Sequence, residues 1–158
     1  MRPKKYPLDP LAQVRARQVD EAARALGDAT RVHAEAERRR VAAEAQRDAA
    51  RRASDAVKGA EQGALERGDL TVADLMRGDA WASRVAHEEA ELAKRAADGA
   101  QRAREAKEGE ASARANVAGR RADAELVEKH RERWVGAEKA KAAAKEEEAA
   151  AEAWRPKS

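Results

Sequence analysis

Every seventh residue from Ala22 to Ala64 is small and apolar: Ala22, Ala29, Ala36, Ala43, Ala50, Val57 and Ala64. An apolar position repeated at this spacing marks a helix laid along another helix. Beyond a break near residue 69, two further rows keep the same period. One holds Val85, Leu92, Gly99, Ala106, Ala113, Val127 and Trp134, with Arg120 intruding. Its neighbour holds Leu75, Ala82, Ala96, Ala103, Val117 and Ala124, with Glu89 and Glu110 intruding. The pattern predicts an all-α fold, a two-helix antiparallel coiled-coil hairpin drawn out into a rod about 90 Å long.

Local signals place the boundaries. Three of the four prolines fall within residues 1–10, so that stretch reads as a lead-in, with Pro7 and Pro10 able to occupy the first turn of a helix. Helix 1 is then expected over 11–67. Gly68 suits a left-handed C′ position, and Thr71-Val72-Ala73-Asp74 resembles a capping box with Asp in place of Glu. A turn over 68–71 leads into helix 2 over 72–153, which overshoots helix 1 from about residue 135, and 154–158 form a tail. In this register Val57 faces Ala82, Ala36 faces Ala103, Ala22 faces Val117, and Leu8 lies near Arg131 and Trp134.

Large apolar residues are concentrated at the two ends of this seam. Between them the contacts are nearly all Ala, which permits close backbone approach but buries little area at about 25 cal/mol per Å². The expectation is a slender middle with better anchored ends.

Composition agrees with the helical reading and narrows the function. Charged residues make up 40% of the chain and aromatics 3%, and Phe is absent, so a compact enzyme domain with a sizeable core is not expected. Ala, Arg, Glu and Lys are strong helix formers, which argues against disorder. Without Cys there is neither a disulfide frame nor a thiolate metal site. No uncharged run approaches the length of a membrane span, and the basic start lacks an apolar segment, so the expected location is cytoplasmic. A net charge of +3, made of 33 basic and 30 acidic groups, is not a nucleic-acid footprint.

Candidate chemistry is sparse. His33, His87 and His130 have carboxylates at helical spacing, but in so Glu-rich a chain these read as solvated faces rather than metal ligands. There is no phosphate loop, nucleophile elbow or zinc-binding His pair, and no catalytic residue, cofactor or metal is expected. Arg17, Arg24, Arg31 and Arg38 form a second heptad row, read as a solvated outer face with nearby acids. Trp81, Trp134 and Trp154 are conspicuous in a chain with so few large apolar residues, and an exposed Trp on a polar helix suits an interface anchor.

Several segments carry a resemblance. Tyr6-Pro7-Leu8 with Leu11 and Val14-Arg15, the run Val19-Asp20-Glu21-Ala22-Ala23-Arg24-Ala25-Leu26, the central Gly68-Asp69-Leu70-Thr71-Val72-Ala73-Asp74-Leu75, and Glu128-Lys129-His130-Arg131 with Trp134 resemble the FliJ/YscO family. These are central stalk proteins of type III secretion machines. The resemblance implies a hairpin similar to the rotor stalk of rotary ATPases, engaging a hexameric export ATPase and the export gate, with secretion chaperones bound by some members. Aromatic and large apolar positions of some flagellar members are mostly Ala or charged here, so individual contact residues are not transferred.

On this reading the protein is a non-enzymatic stalk, a monomer when free, peripheral to the membrane apparatus and without nucleic-acid partners. The open end, around Leu8, Leu11, Arg15, Val19, Val127 and Trp134, together with the overhang, is the candidate ATPase-facing part. The closed end, around Leu65, Leu75, Met76 and Trp81, is the candidate surface for the gate or another partner. The rival readings are a peripheral stator stalk of a rotary ATPase, a scaffolding coiled coil, and a nucleic-acid-binding hairpin, the last marked by steep salt dependence.

Overall fold

The structure is a computed structural model that describes residues 4–155; the outermost parts of the lead-in and tail, 1–3 and 156–158, lie outside the described residues. Two helices, α1 (Asp9–Glu66) and α2 (Val72–Ala153), make an all-α helical hairpin, with no strand among the described residues. α1 starts at Asp9 because Pro10 fits its first turn, where a missing N–H leaves no bond unmade, and Asp9 places a carboxylate at the positive end of the helix.

The break between the helices is built from two local devices. At the end of α1, Gly68 adopts φ 72°, the left-handed conformation that glycine takes without steric cost. The Asp69 amide then donates to the Ala64 carbonyl at 3.0 Å and the Gly68 amide to the Leu65 carbonyl at 3.0 Å, which is a Schellman closure. At the start of α2 the capping box forms with Asp as its acid. The Asp74 amide donates to Thr71 Oγ1 at 3.2 Å, and the Thr71 amide donates to Asp74 Oδ2 at 2.9 Å.

Contacts divide the chain into two units, Met1–Gly27 with Ser112–Ser158, and Asp28–Ala111. In each, a stretch of α1 lies antiparallel to a stretch of α2. In the first unit the pairing runs through Lys4 with Glu138, Asp9 with Arg131, and Arg15 with Asp123. Ala22 and Val117 are its buried seam residues. Contact reaches as far as Glu138, and everything from 139 to 155 is exposed.

In the second unit Ala96 and Ala103 are the most buried apolar residues, and Ala29, Ala36, Ala43 and Ala50 line the facing side of α1, half-buried. A Cβ built on Gly99 would stand 3.5 Å from Arg40 Cα and 3.9 Å from the Ala43 methyl, which shows how closely the two backbones approach. The Ala row works here as a spacer: small side chains on both sides let helices pack close at little apolar gain per layer.

Two features differ from the expected seam. The first is its second row on α1, which in this unit is polar: His33, Arg40, Arg47 and Ser54 are all half-buried or buried. Ser54 is 2% exposed, and its hydroxyl and Glu89 Oε1 are buried without a hydrogen-bond partner. Such atoms weaken the layer that holds them, because their hydration is lost and not replaced. The second is at the closed end. Val57, expected against Ala82, is 45% exposed, and all of α1 from 55 to 60 is exposed. Past this point the Glu61 carboxylate lies against Gly78, so a long polar side chain joins the half-buried Ala64, Leu75 and Trp81 between the helices.

Candidate interaction surfaces

A groove of about 400 Å³ lies in the Asp28–Ala111 unit, lined by Ala36, Ala43, Gly99 and Ala106 among others. Its rim carries Arg39, which pairs with Glu35, and Arg95, Asp98 and Arg102. These groups include no nucleophile beside a base. No group of three or more His, Asp or Glu residues able to hold a metal occurs among the described residues. No helix is long and apolar enough to cross a membrane, again among the described residues.

The open end is organised around Tyr6, which stands three residues ahead of α1. It is 4% exposed although nothing in the heptad pattern marks it. Its hydroxyl is 2.6 Å from His130 Nδ1, and its ring packs tilted against Trp134, 5.6 Å between centroids, and against His130 at 5.7 Å. Tilted ring pairs at this separation are favourable beyond the area they bury. His130, read from the sequence as a solvated face, is thus part of a three-ring clasp that ties the lead-in to α2. Two ion pairs reinforce it. Lys4 reaches Glu138 at 3.4 Å, and Arg131 reaches Asp9 at 3.6 Å. Lys141, with Lys4 behind it, holds the Glu138 carboxyl below the usual carboxylate range.

The expected ATPase-facing residues divide into two kinds. Trp134, Val19, Val127 and Arg15 are half-buried in the hairpin itself, Arg15 donating to Asp123 at 3.4 Å and to Gln18 at 3.1 Å. Leu8 and Leu11 are exposed, and Val14 and Leu126 are exposed apolar residues of the same unit. Trp154, just past the end of α2, is 89% exposed.

The expected gate- or partner-facing residues divide in the same way. Leu75 and Trp81 are half-buried, whereas Leu65 and Met76 are exposed, the latter at 69%, beside an exposed Val72. The expectation that large residues anchor the closed end therefore holds for Leu75, Trp81, Val85 and Leu92 and not for Val57, Leu65, Val72 and Met76. The physical reason is helical periodicity: Leu65, Val72 and Met76 stand on faces of their helices turned away from the seam, Leu65 next to the seam position Ala64 and Met76 next to Leu75.

His33 is the functional-looking residue that sequence reasoning left on the surface. Its Nδ1 is 2.5 Å from Glu110 Oε2, and both side chains are largely buried. Thr30 donates to the other oxygen, Oε1, at 3.4 Å. The available signal was that Glu110 interrupts an apolar row of α2, which calls for a polar partner on α1. The Arg17, Arg24 and Arg38 side chains are exposed, and Arg31 pairs with Asp28 one turn before it, as a solvated outer row requires.

Searches of curated proteins and of solved structures returned no match to this chain. A protein-family model, that of the YscO-like proteins, matches residues 3–153, along both helices and the turn between them. That family is one of structural secretion components and is not a known enzyme family. With nearly its whole length covered, the chain belongs to the YscO-like family, whose members are associated with type III secretion.

Proposed function

We propose that this protein is a non-enzymatic, cytoplasmic stalk of a type III secretion apparatus that engages and stimulates the hexameric export ATPase and links it to the export gate. The observation that carries the proposal is the family match running along both helices of a hairpin that leaves large apolar residues exposed, Val32, Val41 and Val57 along the middle of α1 among them. Leu8, Leu11, Val14 and Leu126 form the group assigned to the ATPase, with Trp154 beyond them. Leu65, Val72 and Met76 near the turn form the group assigned to the gate or a secretion chaperone. Within each unit the hairpin is one helix pair thick, about 20 Å across. A pair of that thickness fits the opening of a six-membered ring. Because it has no sixfold symmetry, it makes the ring subunits inequivalent, and its binding energy couples their nucleotide states to its own position.

The test uses the full chain and its cognate export ATPase. Wild-type protein is expected to bind the ATPase and to raise its turnover or hexamer formation, while hydrolysing no nucleotide alone. Leu11→Ala combined with Trp134→Ala is expected to lose most of that stimulation with helicity retained by circular dichroism. An ATPase that neither binds the wild-type chain nor responds to it would overturn the reading in favour of a scaffold.

A further inference from the structure

Beyond Glu138, α2 continues to Ala153 with every residue exposed. Its charges there are sorted into two halves. Lys139, Lys141 and Lys145 fill the first, Glu146, Glu147, Glu148 and Glu152 the second, and every remaining position from 140 to 153 is Ala. Sorting of this kind is unfavourable within one helix. No Glu stands four residues before a Lys here, the spacing at which a helix best neutralises its own charges. The acidic half lies toward the C-terminal end, where the helix dipole disfavours carboxylates, and the last turn holds no basic residue. Among the described residues, Lys139, Lys145 and these four glutamates make no ion pair, while Lys141 reaches back to Glu138 at 3.1 Å.

Two further features stand at equal distances from the boundary between the halves. The exposed Trp154 lies nine residues past Lys145, and Gly136 lies nine residues before it. Val135 and Gly136 line an open depression of about 310 Å³, with Arg131 and Lys139 also on it. A depression bordered by cations suits an indole, whose ring face attracts positive charge. Ala140, Ala143, Ala150 and Trp154 recur at helical spacing along one face, interrupted by Glu147.

We propose that this stretch is a self-association surface: two copies of the chain pair antiparallel through residues 136–154, centred on residue 145. The basic half of each copy then lies along the acidic half of the other. Lys141 comes beside Glu148 of the second copy, Ala140 faces its Ala150, and Trp154 meets its depression at Gly136. Lys145 itself, two positions along from Ala143, stands on the outer face. The contact is the same patch on both copies, so it closes at two. A parallel pairing would set lysine on lysine and glutamate on glutamate, so charge selects both the occupant and its direction. At 1.5 Å per residue the paired stretch is about 28 Å long. With alanines on its inner face it buries less than the roughly 1,600 Å² of a standard interface, so the dimer is weak and reversible. The inference departs from the expectation of a free monomer and does not depend on the ATPase reading.

Sedimentation of the full chain from about 10 µM to about 1 mM tests the proposal. Wild type is expected to pass reversibly from monomer to dimer, and to need a higher concentration as salt is raised. Lys139→Glu with Lys141→Glu, and separately Glu146→Lys with Glu148→Lys, should each weaken self-association about tenfold. Mixing the two variants should restore it, because each then meets opposite charge. Trp154→Ala should weaken it about tenfold as well. Direction is read by cross-linking, since the chain has no native Cys. Single variants Ala140→Cys and Ala150→Cys should form a disulfide with each other, and neither with itself. Helicity by circular dichroism is followed in parallel, and if a charge-reversed variant loses it, Trp154→Ala and the cysteine pair supply the test. A wild type that stays monomeric throughout would overturn the proposal. So would association unchanged in both charge-reversed variants, or Ala140→Cys cross-linking to itself.

Discussion

The Tyr6 hydroxyl stands 2.6 Å from His130 Nδ1, joining the residues that precede α1 to a helix position far along α2. The contact closes the open end with a buried aromatic ring, in a unit whose other buried seam residues are Ala22 and Val117. Removing only the hydroxyl, by Tyr6→Phe, should lower stability by about 1 kcal/mol. Tyr6→Ala should cost about 3 kcal/mol, because it removes a buried ring as well. Amide exchange over residues 9–20 checks both, and is expected to accelerate in that order.

Charge placed in the seam should be costly, and the same change outside it should not. Ala96→Asp and Ala103→Asp, at the most buried apolar sites of their unit, are each expected to cost about 3 kcal/mol. Ala36→Asp and Ala43→Asp, half-buried across from them, should cost somewhat less. Asp at Arg31 or Arg38, both exposed, should change thermal unfolding little. Equal effects at the two sets of sites, measured by helical melting, would mean the seam lies on another face.

Two glycines, one in the seam and one at the turn, should respond in opposite directions. Gly99→Ala adds a methyl at ordinary contact distance from Arg40 and Ala43 and raises helix propensity, a gain of about 1 kcal/mol. Gly68→Ala meets φ 72° with a Cβ and should lose about 1 kcal/mol. Paired thermal melts of the single variants decide the signs.

The turn carries an acid-sensitive cap. Hydrogen bonds from the Thr71 hydroxyl, then from its amide, with Arg77 beside them, lower the Asp74 carboxyl from its ordinary value to about 2. A carboxyl lowered on folding stabilises the folded state above its unfolded pKa, and that contribution is lost as pH falls through the folded one. The closing of α2 should therefore weaken between about pH 4 and pH 2 in the wild type, and this step should be missing in Asp74→Asn. Thr71→Ala should cost about 1 kcal/mol near neutral pH. Acid titration followed by exchange of the first α2 amides measures both.

What the amino-acid order determined by itself was whatever depends on near neighbours. The heptad rows on both helices, the Gly68 termination and the Thr71–Asp74 cap are all decided within a turn or two of chain, and each is present in the structure. Both α2 rows were legible as well, down to the intrusion of Glu110, since periodicity alone marks the inward face. The partners of those rows were not. On α1, His33, Arg40, Arg47 and Ser54 look like surface residues, because polarity argues for solvent until a neighbouring helix is laid over them. Tyr6 carries no periodic signal, and its burial depends on His130 and Trp134 arriving from more than a hundred residues away. The turn sets the register of the alanine rows, and that much is local. Only the tertiary structure decides which polar and aromatic side chains are covered beside those rows, because burial of such a group depends on a partner that arrives from the other helix.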